Sequence, residues 1–273
     1  MVGYSEFKPN VSLQPFIECI WSLKSTSTFF SKRERIIPGG RIEMFFNLGN
    51  PATWIDSKYP SNSQHYAGAY LLGPRNRHFF VEMSGTIDMI GVRLRHGAIA
   101  ACTTMPAHVL LNQVIPLNQL FGKDADHLVD QLIESKDERQ QVNMIERFLS
   151  TVIQADSTIC KTLELISWVK KGESTPINML SDKTGIHYKK LERTFSQYTG
   201  YTPKNFSRVI RFYEALRRLK KSGSSLTCVG LNAGYYDQSH FIRDFKAFTG
   251  KSPTQFQEEN PTIANLLLQS PHV

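Results

Sequence analysis

Cysteine is scarce in this chain and long apolar runs are missing. The four cysteines, Cys19, Cys102, Cys160 and Cys228, lie far apart, with no Cys-x-x-Cys pair and no histidine at zinc-finger spacing. A disulfide framework or a structural metal is therefore not expected. No run of eighteen apolar residues occurs, and the start, MVGYSEFKPNVSLQPF, has no basic segment leading into an apolar one. Neither a membrane span nor a signal peptide is expected. There is no Gly-rich phosphate loop and no Ser/His/Asp or Cys/His set in a recognisable context. His65, His78 and His96 form no His-x-His or His-x-x-x-His pair. These absences predict a reduced, cytoplasmic protein that is not an enzyme and uses neither metal nor cofactor.

What is present divides the chain in two. Of the 32 Lys and Arg and 24 Asp and Glu, residues 1–156 hold 15 of each, so the net charge of +8 belongs to residues 157–273. A net-basic module of about a hundred residues attracts a polyanion, most commonly nucleic acid. The first part carries short segments rich in β-branched and aromatic residues, 10–23, 34–49, 67–73, 78–83 and 86–95, separated by Pro, Gly, Asn or Ser. That pattern predicts an antiparallel sheet or barrel. From about Ala107 the texture turns helical. Over 124–155, Val142, Ile145, Leu149 and Val152 recur at helical spacing, either as packing within the domain or as a dimer seam. Residues 154–158 then form a joint where Asp156 or Ser157 can cap the next helix.

The second part writes one phrase twice. Residues 195–206 read FSQYTGYTPKNF and residues 245–256 read FKAFTGKSPTQF, so Phe-x-x-x-Thr-Gly-x-x-Pro-x-x-Phe recurs fifty positions later. Helices are predicted at Ile159–Lys171, ended by Gly172, at INMLSDKTG, opened by Pro176 and stopped at Gly185, and at about His187–Tyr198, stopped at Gly200. The last has Leu191, Phe195 and Tyr198 on one side and Lys189, Glu192, Arg193 and Ser196 on the other. The second copy has a short helix, Leu226–Ala233, with Gly230 at a close approach, and Gly234 as its stop. Asp237 then caps a helix that buries Phe241, Phe245 and Phe248 and presents Ser239, Ile242, Arg243 and Lys246. A short helix, a tight turn and a two-faced helix make a helix-turn-helix unit.

Between the copies, residues 203–221 carry an apolar stripe of Phe206, Val209, Phe212, Leu216 and Leu219. About nineteen residues give a rod of roughly 28 Å, on the order of one duplex turn of roughly 34 Å. The polar sides of 187–198 and 237–248 are expected to face the same way, into the major groove of double-stranded DNA.

The run GYYDQSHFIRDFKAFTGKSPTQF, residues 234–256, resembles the C-terminal signature of the AraC/XylS family of bacterial transcription regulators. The resemblance covers about 159–256 strongly. ERIIPGGRIEMFFNLG and TIDMIGVRLRHG resemble the N-terminal sensory region of one branch of that family. It implies an α+β protein of two domains. A cupin-like antiparallel sheet or barrel with following helices, 1–155, would serve as sensory domain. An all-α domain with two helix-turn-helix units, 158–257, would bind DNA, followed by a tail, 258–273. It also implies a nucleoid-associated protein when bound, and leaves room for RNA polymerase, a small-molecule effector and a second copy of the chain as partners.

Carried over by position, the resemblance puts base-reading sites on Lys189, Glu192 and Arg193, with Tyr188 and Lys190 beside them, and on Gln238, Ser239, His240 and Arg243. Arg suits guanine, Gln adenine, and Glu cytosine N4. Lys190 and Lys246 are better placed for phosphate. Glu192 repels phosphate unless it meets cytosine or pairs with a cation, and Ile242 offers only apolar contact, such as to a thymine methyl.

Other residues have plainer readings. Trp21, Phe45, Phe46, Phe79 and Phe80 read as core, and Cys19 and Cys102 as small buried hydrophobes. Arg75, Arg77, Arg93 and Arg95 are either receivers of an acidic ligand or solvated strand-end arginines. The alternative function, an enzyme of DNA repair or sugar metabolism carrying the same DNA-binding module, would need a Pro-Cys-His context, a four-cysteine zinc site or metal-binding histidines, none of which the chain has.

Overall fold

The computed structural model describes residues 2–25, 31–171, 181–182, 184–221 and 225–258. Eight strands form one antiparallel sheet: β1 (Val2–Phe7), β2 (Ile17–Ser25), β3 (Ser31–Ile36), β4 (Glu43–Asp56), β5 (Gln64–Leu72), β6 (Phe79–Ser84), β7 (Asp88–Leu94) and β8 (Val114–Pro116). The order is β1-β2-β7-β4-β5-β8, with β6 pairing both β4 and β3. Among the described residues no pairing closes this path, so the sheet is open where the sequence allowed a barrel.

Period-two alternation builds a core on each face. Ile20, Met44, Phe46, Ile90 and Val92 point one way, into a cluster shared with the helices that follow the sheet. Trp21, Phe45, Trp54 and Tyr70 point the other way. Phe45 stacks on Tyr70 at 5.2 Å, and Trp21 meets Phe45 edge-on at 5.5 Å. The aromatic residues read as core are buried, except that Phe80 is half-buried under the Arg33 guanidinium. Cys19 and Cys102 are buried as well, and burial pushes each thiol up to about 12, out of reach of thiolate chemistry at neutral pH.

The strand boundaries differ from the pattern in three places. Residues 11–16 are turn, and 37–42 leave the sheet at Pro38-Gly39-Gly40, which cannot sustain a ladder. β4 runs on through Asn50-Pro51, which read as a stop. Its pairing with β5 shifts between Asn47 and Ala52, and the Asn47 side chain holds the irregularity by donating to the Asn50 carbonyl (2.9 Å) and accepting from the Gly49 amide (3.2 Å). β1 and β8 carry too little alternation to have been seen.

Helices α1 (Asn118–Phe121), α2 (Lys123–Glu134) and α3 (Glu138–Val152) follow. The single stretch expected over 124–155 is broken at Ser135–Asp137. There Asp137 caps α3 by accepting from the Arg139 amide (2.9 Å), and buried Gln141 donates to the Leu132 and Ser135 carbonyls at the end of α2. Val142, Ile145 and Leu149 are buried against the sheet's own core, with Val152 partly so, so this stripe packs within the domain.

Six further helices are bounded among the described residues: α4 (Ser157–Lys171), α5 (Tyr188–Thr199), α6 (Pro203–Lys221), α7 (Leu226–Asn232), α8 (Gln238–Thr249) and α9 (Pro253–Glu258). Asp156 caps α4, accepting from the Ile159 amide at 2.8 Å. Gly172, Pro176 and most of the helix expected at INMLSDKTG lie outside the described residues. Gly185 is left-handed at φ 66°, as a helix stop requires.

Candidate nucleic-acid interface

The repeated phrase is a joint that the backbone explains atom by atom. Thr199 Oγ1 donates to the Phe195 carbonyl (2.6 Å) and accepts from the Tyr201 amide (3.2 Å). Thr249 Oγ1 does the same with Phe245 (2.7 Å) and Lys251 (3.1 Å). Gly200 and Gly250 turn the chain at φ 79° and 75°. Thr202 and Ser252 then receive the Asn205 and Gln255 amides, and Pro203 and Pro253 open α6 and α9. Each copy thus ends one helix and starts the next with the same hydrogen bonds.

The helices ahead of those joints, α5 and α8, dock on α6. Phe195 meets Phe206 at 5.7 Å, and Phe212 meets Phe245 at 5.5 Å and Phe248 at 4.7 Å. Leu191, Phe195, Phe206, Phe212, Phe241 and Phe245 are fully buried. Tyr198 is only half-buried. All five residues of the α6 stripe are buried. The two docking points on α6 are six residues apart, on the order of 9 Å along its axis. The points at which α5 and α8 meet α6 thus lie much closer together than the length of the rod. Gly230 of α7 allows the approach of Phe241, whose Cβ would lie 3.1 Å from a Cβ placed there.

Opposite these apolar sides, Tyr188, Lys189, Lys190, Glu192 and Arg193 on α5 are exposed, and Gln238, Ser239, Arg243 and Lys246 on α8 are exposed. Ser196 and Ile242 are half-buried, and Ile242 packs on the domain core. His187 caps α5 and Asp237 caps α8, the latter accepting from the His240 amide at 2.7 Å. His240 is half-buried, edge-on to Tyr235 at 5.0 Å and 3.8 Å from Asp244. Gln238 is held by Thr227 of α7, whose hydroxyl lies 2.9 Å from its Oε1.

The sequence reading missed the ion pair that fixes the second unit. Asp244 is buried in α8 and receives Arg208 of α6 at 2.8 Å, while Arg208 also lies over the Phe248 ring. A buried acid on an otherwise apolar side was the available signal, and its partner could not be read without the packing.

It also missed the seam with the sheet domain. The loop 73–78, between β5 and β6, touches both Thr-Gly joints. Tyr201 Oη donates to the Arg75 carbonyl (2.7 Å), the Ala107 amide donates to the Gln197 carbonyl (2.7 Å), and Gly200 lies against Pro74. Gly250 lies against His78, which hydrogen-bonds the Phe248 backbone. Arg75 and Arg93 are buried and are not solvated strand-end residues. Arg93 pairs with Glu43 at 2.7 Å, and Arg77 pairs with Asp56; Arg95 is exposed, donating to the Gln14 carbonyl. Burial works against the Glu43 carboxylate, yet Arg93, Arg75 and Arg41 hold it below the usual range.

Burial, with Arg35 nearby, lowers His78 to about 4, and burial with Arg41, Lys170 and Arg95 lowers His96. An unfolded imidazole binds its proton near pH 6.5, so both neutral rings favour the folded state fully above that pH. For His78 the contribution is lost as pH falls toward 4, where its folded ring protonates. Denaturation at pH 7 and pH 4.5 is expected to show a drop, of which His78→Asn removes about 1–2 kcal/mol after allowance for solvent screening. An unchanged drop in that variant would remove His78 from the account.

A helix-turn-helix domain family matches residues 180–259, and a domain of unknown function, DUF6597, matches residues 5–116. RhaS of Pectobacterium carotovorum, named as an HTH-type transcriptional activator, is 29% identical over 97 residues, which are 35% of each chain. PqrA of Proteus vulgaris, a probable transcription factor, is 26% identical over 99 residues, 35% of this chain and 81% of that one. The match thus spans about a third of the length of the RhaS relatives. Among solved structures, ToxT of Vibrio cholerae aligns over 89% of this chain and 99% of its own, at 12% identity and a TM-score of 0.47. No described helix is long and apolar enough to cross a membrane. Over residues 180–259, which hold the paired units, the chain is similar to helix-turn-helix transcription regulators of the AraC/XylS type.

Proposed function

We propose that this chain is a sequence-specific transcription regulator. Residues 158–257 would read two consecutive major-groove segments, and residues 1–155 would control them through an effector or self-association. RNA polymerase would be a further partner. The observation that carries this reading is the pair of exposed polar faces on α5 and α8, both docked on α6 and written in the same register.

Arg193 and Arg243 have no carboxylate partner among the described residues, which leaves their guanidinium forks for guanine O6 and N7. Gln238, Ser239 and His240 stand at the start of α8, and Tyr188, Lys189 and Lys190 at the start of α5, the ends that enter a groove first in this motif. Glu192 is exposed one turn along, suited to a cytosine amino group. Lys246 sits at the far end of α8, suited to phosphate.

Site selection from random duplexes with the purified chain is expected to yield a bipartite site. On that site Arg193→Ala and Arg243→Ala should each cost about 1–3 kcal/mol and relax preference at one position. Lys246→Ala should weaken all sequences alike and flatten the salt dependence by about one ion. Unchanged affinity and selectivity in both arginine variants would refute the docking.

A further inference from the structure

A cavity of about 440 Å³ lies between the two domains, and its size falls in the range of small-molecule sites. Pro15 and Phe16 form one wall, Arg95 and His96 after β7 another, and α4 closes it with Leu163 and Lys170. His96 and Lys170 also border a smaller cavity of about 160 Å³ reached by Arg41 and Arg217.

The charges around this shared wall do not balance. Arg41 is matched by Glu18 at 2.9 Å and Arg217 by Glu214 at 3.4 Å. Arg95 and Lys170 have no carboxylate in salt-bridge reach among the described residues. Burial, then Arg41, lowers Lys170; Glu18 opposes this, and Arg95 and Arg217 add to the lowering. Glu164 lies at the exposed rim.

One buried acceptor in the same cavity also lacks a partner. Glu18 is 7% exposed, and its Oε1 has none, since Oε2 serves Arg41. The His96 ring beside it is neutral. A buried unmet acceptor is costly, so a donor is wanted there. An ammonium would be repelled by the surrounding cations, which favours a neutral donor, of which a hydroxyl is the most compact.

We infer that the interdomain cavity binds a small hydroxylated carboxylate with an apolar body. Its carboxylate sits on Lys170 and Arg95, its hydroxyl donates to Glu18 Oε1, and its apolar body lies against Phe16 and Leu163. Because the sheet and α4 each supply part of the wall, the bound molecule ties the first helix of the C-terminal domain to the sheet. The site deepens the effector control proposed above, resting on it for the regulatory consequence and not for binding.

The chain carries its own reporter. Cys160 lines the cavity and is exposed, Cys228 is exposed on α7, and Cys19 and Cys102 are buried. Maleimide labelling of the full chain, read peptide by peptide by mass spectrometry, compares the two exposed thiols. 3-Phenyllactate is expected to slow labelling of Cys160 and leave Cys228 unchanged. 3-Phenylpropionate, without the hydroxyl, should need about tenfold more for the same protection. 3-Phenylpropane-1,2-diol, without the carboxylate, should not protect, and Lys170→Met should abolish the advantage of phenyllactate over the diol. No protection by phenyllactate, equal protection by all three probes, or equal slowing of Cys160 and Cys228 would each overturn the proposal. No DNA enters this measurement, so its failure is separate from failure of the DNA-reading assignment.

Discussion

Replacing Phe212 by alanine is expected to lower the unfolding free energy of the C-terminal domain by about 3–5 kcal/mol and to abolish specific DNA binding at physiological temperature. Phe212 is fully buried on α6, and its ring meets both Phe245 and Phe248 of α8. Truncation leaves a cavity at the point where the second reading helix joins the connector. A domain of this size has a total stability of roughly 5–15 kcal/mol, so the loss is a large fraction of the whole. Phe212→Leu keeps most of the volume and should recover more than half of it. Guanidinium unfolding of the three proteins, with amide exchange over α8, measures both effects. A loss below about 1 kcal/mol would mean that α8 is held by something other than this aromatic contact.

The second large effect separates the geometry of a turn from docking between domains. Gly185, Gly200 and Gly250 all adopt the left-handed conformation, at φ 66°, 79° and 75°. Alanine in that conformation costs about 1–2 kcal/mol by itself. At Gly185 nothing among the described residues lies within 4 Å of the added methyl group, so that backbone term is all that is expected. At Gly200 the methyl would lie 2.5 Å from Pro74 Cγ and 2.9 Å from the Ala107 carbonyl oxygen. Neither atom belongs to a flexible side chain, and the first joint must therefore leave the sheet domain. Gly200→Ala should cost about 3–4 kcal/mol, the backbone term plus overpacking. At Gly250 the obstacle is the His78 ring, 2.8 Å away, which can swing at lower cost. Thermal unfolding should therefore rank the variants Gly200→Ala, Gly250→Ala, Gly185→Ala from most to least destabilised. Limited proteolysis in the seam should rise only for the first two. Equal destabilisation by all three would show that the seam contributes nothing.

These expectations also explain why the seam went unseen in the sequence. Thr-Gly-x-x-Pro announced two joints, because a Thr hydroxyl bridging carbonyl and amide, a left-handed Gly and a helix-opening Pro are local chemistry that any reader of the chain can recover. Nothing in Pro74, Ala107 or His78 announces that they are the surfaces on which those joints rest. Tyr201 and its partner Arg75 are 126 positions apart. Arg75 and Arg93 look like solvated ends of strands until the second domain covers them. Asp244 looks like one more polar residue on α8 until Arg208 of α6 meets it.

The sequence by itself determined the division into a sheet-rich part and a basic helical part, the two repeated units, the phenylalanines that face inward and the polar residues that face outward. Each of these follows from a period, a cap or a turn acting within a few neighbouring residues. Only the tertiary structure decided the bend and pairing of β4, the break between α2 and α3, and the use of the α3 stripe inside its own domain. It alone decided the seam at loop 73–78 and the uneven charges around the interdomain cavity. Those depend on which distant groups share one buried volume, where desolvation and unmet hydrogen bonds set the energy, and no local pattern in the chain encodes that pairing.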